Sequence, residues 1–312
     1  MSITAHFAAG ADRWPDWQEP LRAAFDEAGL DVTLTESAPD PAAVDYIIYA
    51  PGSPLQDFSP FTNCKAVLNI WAGVERIVGN PTLQVPLCRM VDPSLSEGMV
   101  EYVTGHVLRY HLDIDGHLAG QDGVWRHDRV PPLARERPVA MLGLGALGQA
   151  CARALTGLGF PVLGWSRTPR EVAGVRCRAG DEGLAQTLAE AQIVVTLLPQ
   201  TPQTERIINA DALARLPRGA CLINPGRGPL IDDDALIAAL DTGQLAHATL
   251  DVFREEPLPP AHPFWAHPRI TVTPHIAAET RPHTAARVIA ENIRRGEAGE
   301  PFLNQVDTGR GY

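Results

Sequence analysis

Apolar residues in the first hundred positions come in short runs separated by helix-spaced stretches. Ile3 to Ala8 reads as a strand. Trp17 to Ala28 carries Trp17, Leu21, Ala24, Phe25 and Ala28 at helical spacing and stops at Gly29. Tyr46 to Tyr49 and Ala66 to Ile70 are short apolar strands bounded by turn residues. This alternation predicts a parallel sheet with helices on its faces. From Ser96 to about Leu118 the spacing predicts one long helix, capped by Ser96, with Val100, Val103, Val107, Leu108 and His111 on one side. The polar, proline-containing stretch from Gln121 to Pro138 has no clear period and reads as a junction.

The alternation then resumes. Pro138 to Leu142 reads as a strand, Ala150 to Leu158 as a helix ended by Gly159, and Val162 to Trp165 as the second strand. Ile193 to Leu198, Ala220 to Ile223, Ala248 to Val252 and Ile270 to Thr273 supply further strands, with helices between several of them. A final helix from Arg281 to Arg295 is expected to return the chain to its first domain.

At 312 residues, two domains are expected rather than one core. A net charge of -11 argues against nucleic acid, since phosphate neutralisation needs a basic surface. An anionic ligand would have to be captured by local cations against a mildly repulsive field. The five cysteines are scattered, with no CxxC pair, so neither zinc nor a disulfide framework is expected. That usage fits a reducing compartment, read as cytoplasmic. The N-terminus lacks a basic region followed by an apolar stretch, and no run of about 20 apolar residues occurs. Neither a signal peptide nor a membrane span is therefore expected, and no metal site.

The strand before Gly143 leads into Gly143-Leu144-Gly145-Ala146-Leu147-Gly148, and a helix follows. In that context a glycine fingerprint reads as a dinucleotide site. Gly143 permits the tight turn, Gly145 lets a pyrophosphate approach the backbone, and Gly148 lets the helix pack closely. The phosphates would sit on free N–H groups at the helix N-terminus. An NAD enzyme usually places a carboxylate near the end of the next strand to bind the ribose 2′-OH. Here Trp165-Ser166-Arg167-Thr168 stands instead. Arg167 can donate charge-assisted hydrogen bonds to a 2′-phosphate, with Ser166 and Thr168 adding hydroxyl contacts. NADPH is therefore the expected cofactor, NADH the weaker alternative, and Arg170 a second phosphate candidate.

Downstream stand Arg227 in Asn224-Pro225-Gly226-Arg227-Gly228, Glu256 after Asp251-Val252-Phe253, and His275 in Thr273-Pro274-His275. Hydride arriving at a keto carbon leaves negative charge on oxygen. A nearby cation stabilises it, and a positioned acid protonates it. Imidazole suits that task near neutral pH, and a neighbouring carboxylate keeps it protonated.

These segments carry a resemblance: GLGALG (143–148), GWSRT (164–168), LLPQT (197–201), INPGRG (223–228), LDVFREEPLP (250–259), HPRITVTPHIAAETRP (267–282) and NQVDTGRGY (304–312). The chain resembles the D-isomer-specific 2-hydroxyacid dehydrogenase family, and within it the glyoxylate/hydroxypyruvate reductase A group. The resemblance implies an α/β fold of two Rossmann-like domains with the active-site cleft between them. A flavodoxin-like substrate domain would span residues 1–100 plus 281–312, and an NADP-binding Rossmann domain 101–280.

It also implies roles. Arg227 holds the substrate carboxylate and polarises the keto oxygen, His275 is the acid-base residue, and Glu256 is its partner. Beyond the glycine turn with Ala146 and Leu147, it places cofactor contacts at Leu198, Pro199, Pro225, Gly226 and Asp251. Trp71, Ala72 and Gly73, followed by Val74, resemble the loop whose N–H groups grip the carboxylate. Trp71 stands where a small residue is more usual, so the indole either shrinks the pocket or packs against the domain interface. The implied partners are a small anionic 2-keto acid and a second copy of the chain in a homodimer, with the helix from Ser96 at its interface. Two other readings stay open. One is a 2-hydroxyacid dehydrogenase acting on larger keto acids or using NAD. The other is a dinucleotide-sensing, corepressor-like binding protein.

Overall fold

Strands buried on both faces dominate the computed structural model, which describes residues 2–308. Met1 and positions 309–312, the end of the C-terminal motif, lie outside the described residues. The chain forms two compact units. One takes the described residues up to Leu95 and those from Glu279 onward; the other is Ser96–Ala278.

In chain order, β1 (Ile3–Ala8), α1 (Trp14–Glu27), β2 (Val32–Thr35), β3 (Tyr46–Tyr49), β4 (Ala66–Asn69) and β5 (Leu87–Cys88) come first. After them run α2 (Pro93–His111) and α3 (Ile114–Ala119). Next come β6 (Val139–Leu142), α4 (Ala146–Gly157), β7 (Val162–Ser166), β8 (Val175–Ala179), α5 (Gly180–Glu190) and β9 (Ile193–Thr196). The remainder is α6 (Ala210–Arg215), β10 (Ala220–Asn224), α7 (Asp233–Asp241), β11 (Leu245–Leu250), β12 (Ile270–Val272) and α8 (Pro282–Ala298).

The first unit holds a parallel sheet in the order β2-β1-β3-β4-β5. That is the flavodoxin-like order. On one face α1 lays down Trp17, Leu21, Ala24 and Phe25, and α8 lays down Ala285, Ala286, Ile289, Ala290 and Ile293. These sit at the helical spacing of 3–4 that builds one apolar stripe. The opposite face is covered by Phe58, Phe61, Val74, Ile77 and Val306.

The second unit holds a seven-stranded parallel sheet, β12-β11-β10-β9-β6-β7-β8. Its strands reverse direction of succession between β6 and β9, as in a Rossmann fold, and ligands bind such sheets outside the carboxyl ends of the strands at that point. Val103, Val107 and Tyr110 of α2 pack with Cys151, Ala152 and Leu155 of α4 on one face. Residues of α6 and α7 cover the other. Parallel strands buried on both sides read as continuous apolar runs, which is why β6, β9 and β10 stood out in the sequence.

Three expectations are corrected. The helix begins at Pro93, not Ser96. The Asp92 carboxylate accepts from the Leu95 N–H at 2.8 Å and the Ser94 hydroxyl at 3.0 Å, capping ahead of a first-position proline. It also stops at His111 rather than running to Leu118, because Asp113 turns left-handed (φ 51°) and a second short helix follows. The stretch from Gln121 to Pro138 lies inside the second unit; the crossings fall at Leu95/Ser96 and Ala278/Glu279. Among the described residues no helix is long and apolar enough to cross a membrane.

Candidate active site

The carboxyl ends of β6, β7, β9, β10, β11 and β12 carry the sequence-predicted residues of the second unit. At β6, Gly143 takes φ 109°, and a Cβ there would overlap the Leu197 carbonyl. A Cβ on Gly148 would overlap the Gly143 carbonyl, so the helix presses directly on the turn. Gly145 differs: a Cβ would meet nothing within 4 Å. The protein leaves that space open, and it lies at the N-terminus of α4, whose first N–H groups, at Ala146, Leu147 and Gly148, have no intrahelical acceptor. The cradle fits a pyrophosphate. Gln149 and Arg170 both donate to the Leu144 carbonyl, at 3.0 and 3.3 Å, and hold the turn. Arg170 therefore spends a donor on the fold.

At the end of β7, Arg167 and Thr168 are exposed and no carboxylate stands in the ribose position. The Ser166 side chain is buried, and its hydroxyl donates to the Thr168 carbonyl at 2.8 Å. Ser166 shapes the loop that presents its two neighbours. Across the switch point, the Leu197 N–H donates to the Leu142 carbonyl at 2.7 Å, Leu198 is buried, and the Pro199 carbonyl accepts from the Thr204 hydroxyl.

The Arg227 loop follows β10 and is tied down by a residue that motif reading passed over. Asn224, 1% exposed, accepts from the Thr196 hydroxyl at 2.6 Å and the Gly226 N–H at 3.2 Å, and donates to the Arg227 carbonyl at 2.9 Å. A Cβ on Gly226 would crowd the Thr196 carbonyl, and one on Gly228 would overlap the Phe253 backbone. Pro225 and these glycines thread the loop between neighbouring strands. One Arg227 nitrogen donates to the Gly226 carbonyl at 2.6 Å.

His275 follows β12 in the left-handed region, φ 55°. Histidine visits that region more readily than most residues, yet it costs on the order of 1–3 kcal/mol. Asp251, fully buried, holds the strained turn. Its carboxylate accepts from the Thr273 hydroxyl (2.6 Å), the Ile276 N–H (2.9 Å) and the Ala277 N–H (2.9 Å). Its carbonyl accepts from the His275 N–H at 2.9 Å. Tyr102 of α2 extends the network to Thr273 through a 2.7 Å hydroxyl contact. Thus Asp251, one of the expected cofactor contacts, holds the histidine turn through its carboxylate.

His275 Nδ1 lies 2.8 Å from Glu256 Oε2, while Glu256 Oε1 accepts from the Phe253 N–H at 2.8 Å. The hydrogen bond to Glu256 raises the His275 pKa above the usual imidazole value; partial burial and the Arg227 cation pull the other way and lose. Burial pushes Glu256 upward, but its bonds to His275 and the Phe253 N–H, with the charges of His275 and Arg227, bring it below the usual carboxylate value. The structure thus brings the imidazole and carboxylate together, with the guanidinium near enough to act on both. The His275 side chain keeps 53% of its surface exposed, so its second nitrogen is reachable.

In the first unit, the loop after β4 is organised by Asn69, which sequence reading also passed over. Its amide donates to the Trp71 and Gly73 carbonyls, both at 2.8 Å. With those carbonyls drawn inward, the N–H groups of Ala72, Gly73 and Val74 make no hydrogen bond among the described residues. Trp71 packs against the first unit's core under the Arg13 guanidinium, 5.2 Å from the ring centre.

A sequence model of the D-isomer specific 2-hydroxyacid dehydrogenase NAD-binding domain matches residues 106–277. Glyoxylate/hydroxypyruvate reductase A of Serratia proteamaculans is 44% identical over 257 residues, 80% of this chain and 82% of that protein. The protein of the same name from Yersinia enterocolitica is 39% identical over 288 residues, 88% and 89% of the two chains. Among solved structures, a D-isomer specific 2-hydroxyacid dehydrogenase from Xanthobacter autotrophicus in complex with NADPH and MES has a TM-score of 0.91 at 46% identity, covering all of both chains. An NADPH-dependent glyoxylate/hydroxypyruvate reductase from Sinorhizobium meliloti, in complex with NADP and sulfate, has 0.86 at 33%, again over both whole chains. The glycine cradle, the paired imidazole and carboxylate, and these matches converge on one assignment: the chain belongs to the D-isomer specific 2-hydroxyacid dehydrogenase family.

Proposed function

We propose that the protein reduces small 2-keto acids, glyoxylate and hydroxypyruvate foremost, to 2-hydroxy acids with NADPH. The observation that carries the reading is the 2.8 Å pairing of His275 Nδ1 with Glu256, beside Arg227, on the carboxyl edge of a sheet that also builds a phosphate cradle. The names of its relatives support the same substrate and cofactor.

When bound, the nicotinamide supplies a hydride to the keto carbon. Arg227 neutralises the charge that develops on the keto oxygen and binds the substrate carboxylate through paired donors. Because Nδ1 is engaged by Glu256, Nε2 is the nitrogen left to give its proton to that oxygen. The neutral imidazole then keeps its proton on Nδ1, which donates to Glu256, so one tautomer persists through the cycle. Loop N–H groups at Ala72, Gly73 and Val74 hold the carboxylate, and Asp251 keeps the histidine turn in place. On this reading the first unit is the substrate domain and the second the NADP-binding domain.

A kinetic panel of glyoxylate, hydroxypyruvate, pyruvate and phenylpyruvate with both cofactors tests the proposal. Failure to oxidise NADPH with any of them leaves a nucleotide-sensing protein instead. Within that panel, Arg167→Asp exchanges a phosphate donor for a carboxylate. The NADPH/NADH ratio of kcat/KM should fall at least about 10-fold, the worth of one charge-assisted hydrogen bond. An unchanged ratio removes Arg167 from cofactor choice.

The pH profile follows from the direction of the His275 shift. Reduction needs the protonated imidazole, so kcat should be level below the folded pKa and fall as pH rises through it. Since that pKa is raised, the fall should centre above about 6.5, the unperturbed value. Glu256→Gln removes the main cause, so its midpoint should move to lower pH. A midpoint that stays put would separate Glu256 from the proton donor.

We also propose a homodimer. Leu118, Val124, Trp125, Val130 and Leu133, in the stretch of chain between α2 and β6, are all more than half exposed, and exposed apolar surface is where chains associate. Sedimentation at assay concentration reads the state directly. The five free thiols and the use of NADPH fit a reducing, cytoplasmic setting.

A further inference from the structure

Arg89 stands at the carboxyl end of β5, on the edge of the first unit's sheet. Its neighbours Cys88 and Met90 turn into the core shared by α1 and α8. Strand alternation therefore puts Arg89 on the opposite face, with Leu87. In the β4–β5 register Leu68 pairs with Cys88, so the next step places Arg89 beside Asn69. Asn69 is the residue that draws in the Trp71 and Gly73 carbonyls. The Met90 N–H donates to the Trp71 carbonyl at 3.0 Å and locks the Arg89 segment to that loop. The Arg89 N–H donates to the Asn304 carbonyl at 3.1 Å. Arg89 is thus pinned on both sides by backbone.

Its guanidinium is not similarly satisfied. Arg89 is only partly exposed, and its side chain makes no hydrogen bond or ion pair among the described residues. Burial lowers its pKa, with no carboxylate to offset it. Cations withdrawn from water are normally paired, because the desolvation is otherwise uncompensated. Nearby Arg13 is engaged by comparison, lying over the Trp71 ring and donating to the Ala9 carbonyl at 3.2 Å. Arg89 therefore has donors unused among the described residues, and by register it stands level with Asn69, whose loop carries the unused N–H groups of Ala72, Gly73 and Val74. In a chain of net charge -11 such a pair of features is a local anion trap.

We infer that Arg89 and the N–H groups of the 71–74 loop form one carboxylate-binding site on the first unit, with Arg89 the charge that sets substrate affinity. This rests on the reading of the protein as a 2-keto-acid reductase. Arg89 grips a group that keeps its charge throughout the reaction. Its contribution is equal in ground and transition states, so its loss appears in KM rather than kcat.

The test is Arg89→Gln, with Arg89→Lys beside it. KM for glyoxylate should rise about 10- to 100-fold in the glutamine variant, with kcat within about threefold, and lysine should recover part of the loss. Because the side chain makes no hydrogen bond or ion pair among the described residues, Tm should hold or rise, whereas a structural arginine would lower it. A binding readout needs no turnover: calorimetric titration of oxalate into the NADPH complex should weaken by the same factor. Unchanged KM and oxalate affinity, or a kcat loss accompanied by a lower Tm, would overturn the assignment. Should the wild-type chain reduce no keto acid, the parent reading fails by itself. Oxalate binding lost in Arg89→Gln would then still support the anion site, and equal oxalate affinity in both would end it.

Discussion

His275→Ala should lower kcat for glyoxylate reduction at least about 100-fold while leaving NADPH affinity close to wild type. The first half follows from proton supply. An alkoxide formed at the keto carbon must gain a proton, and the raised pKa of His275 makes it the acid available at neutral pH. The second half follows from placement. The phosphate cradle belongs to the turn after β6, an interior strand, whereas His275 follows β12 at the sheet's edge, four strands away. Stopped-flow turnover and fluorescence titration with NADPH measure the two separately. Alanine also adopts the left-handed turn less readily than histidine, so Asn, which tolerates it, is the control replacement. His275→Asn should lose turnover as severely. Near-normal kcat in either variant would remove the imidazole from the mechanism.

Arg227→Gln should cost more in kcat/KM, on the order of 1,000-fold. Two effects compound: the developing charge on oxygen loses its cation, and the substrate carboxylate loses its paired donors. The loop itself should survive. Its path is set mainly by Asn224, Thr196 and the close backbone approaches of Gly226 and Gly228, and the arginine side chain adds one hydrogen bond to the Gly226 carbonyl that glutamine can replace. Arg227→Lys keeps the charge without the planar fork and should fall between. The substitution also has a signature in pH. Arg227 depresses His275, so its removal should move the midpoint of residual activity upward, opposite to Glu256→Gln. A loss below about tenfold, or a midpoint moving down, contradicts the role.

Much of this site is legible in sequence because its chemistry sits in contiguous motifs. Gly143 to Gly148 declare a strand-turn-helix, and the strands flanking it are apolar runs. What the sequence conceals are the polar supports that hold these loops, near in the chain or far. Asn69, Asn224 and Asp251 each satisfy loop groups that lie 2 to 26 residues away. Tyr102 reaches the histidine turn from 171 residues upstream. A polar residue before a loop gives no hint of which carbonyls it will hold. The helix start was misplaced for a related reason: Ser96 has the right chemistry for a cap, but Asp92 ahead of Pro93 has it too, and burial decided. β8 escaped notice because Arg176 and Arg178 interrupt an edge strand that packs on one face only. Ser166 shows the converse limit, since its identity suggested a ligand contact while burial turned its hydroxyl to the Thr168 carbonyl.

The double crossing between units has a consequence for synthesis. The N-terminal sheet cannot complete its apolar layer until α8 arrives, because Ala285, Ala286, Ile289, Ala290 and Ile293 supply half of one face. As the nascent chain leaves the ribosome, all of Ser96–Ala278 emerges first and can close around its own seven strands. Through that interval the earlier segment offers bare Ile, Phe and Tyr side chains to its surroundings. Chaperone demand should therefore concentrate on the beginning of the message, although the missing piece is encoded near its end.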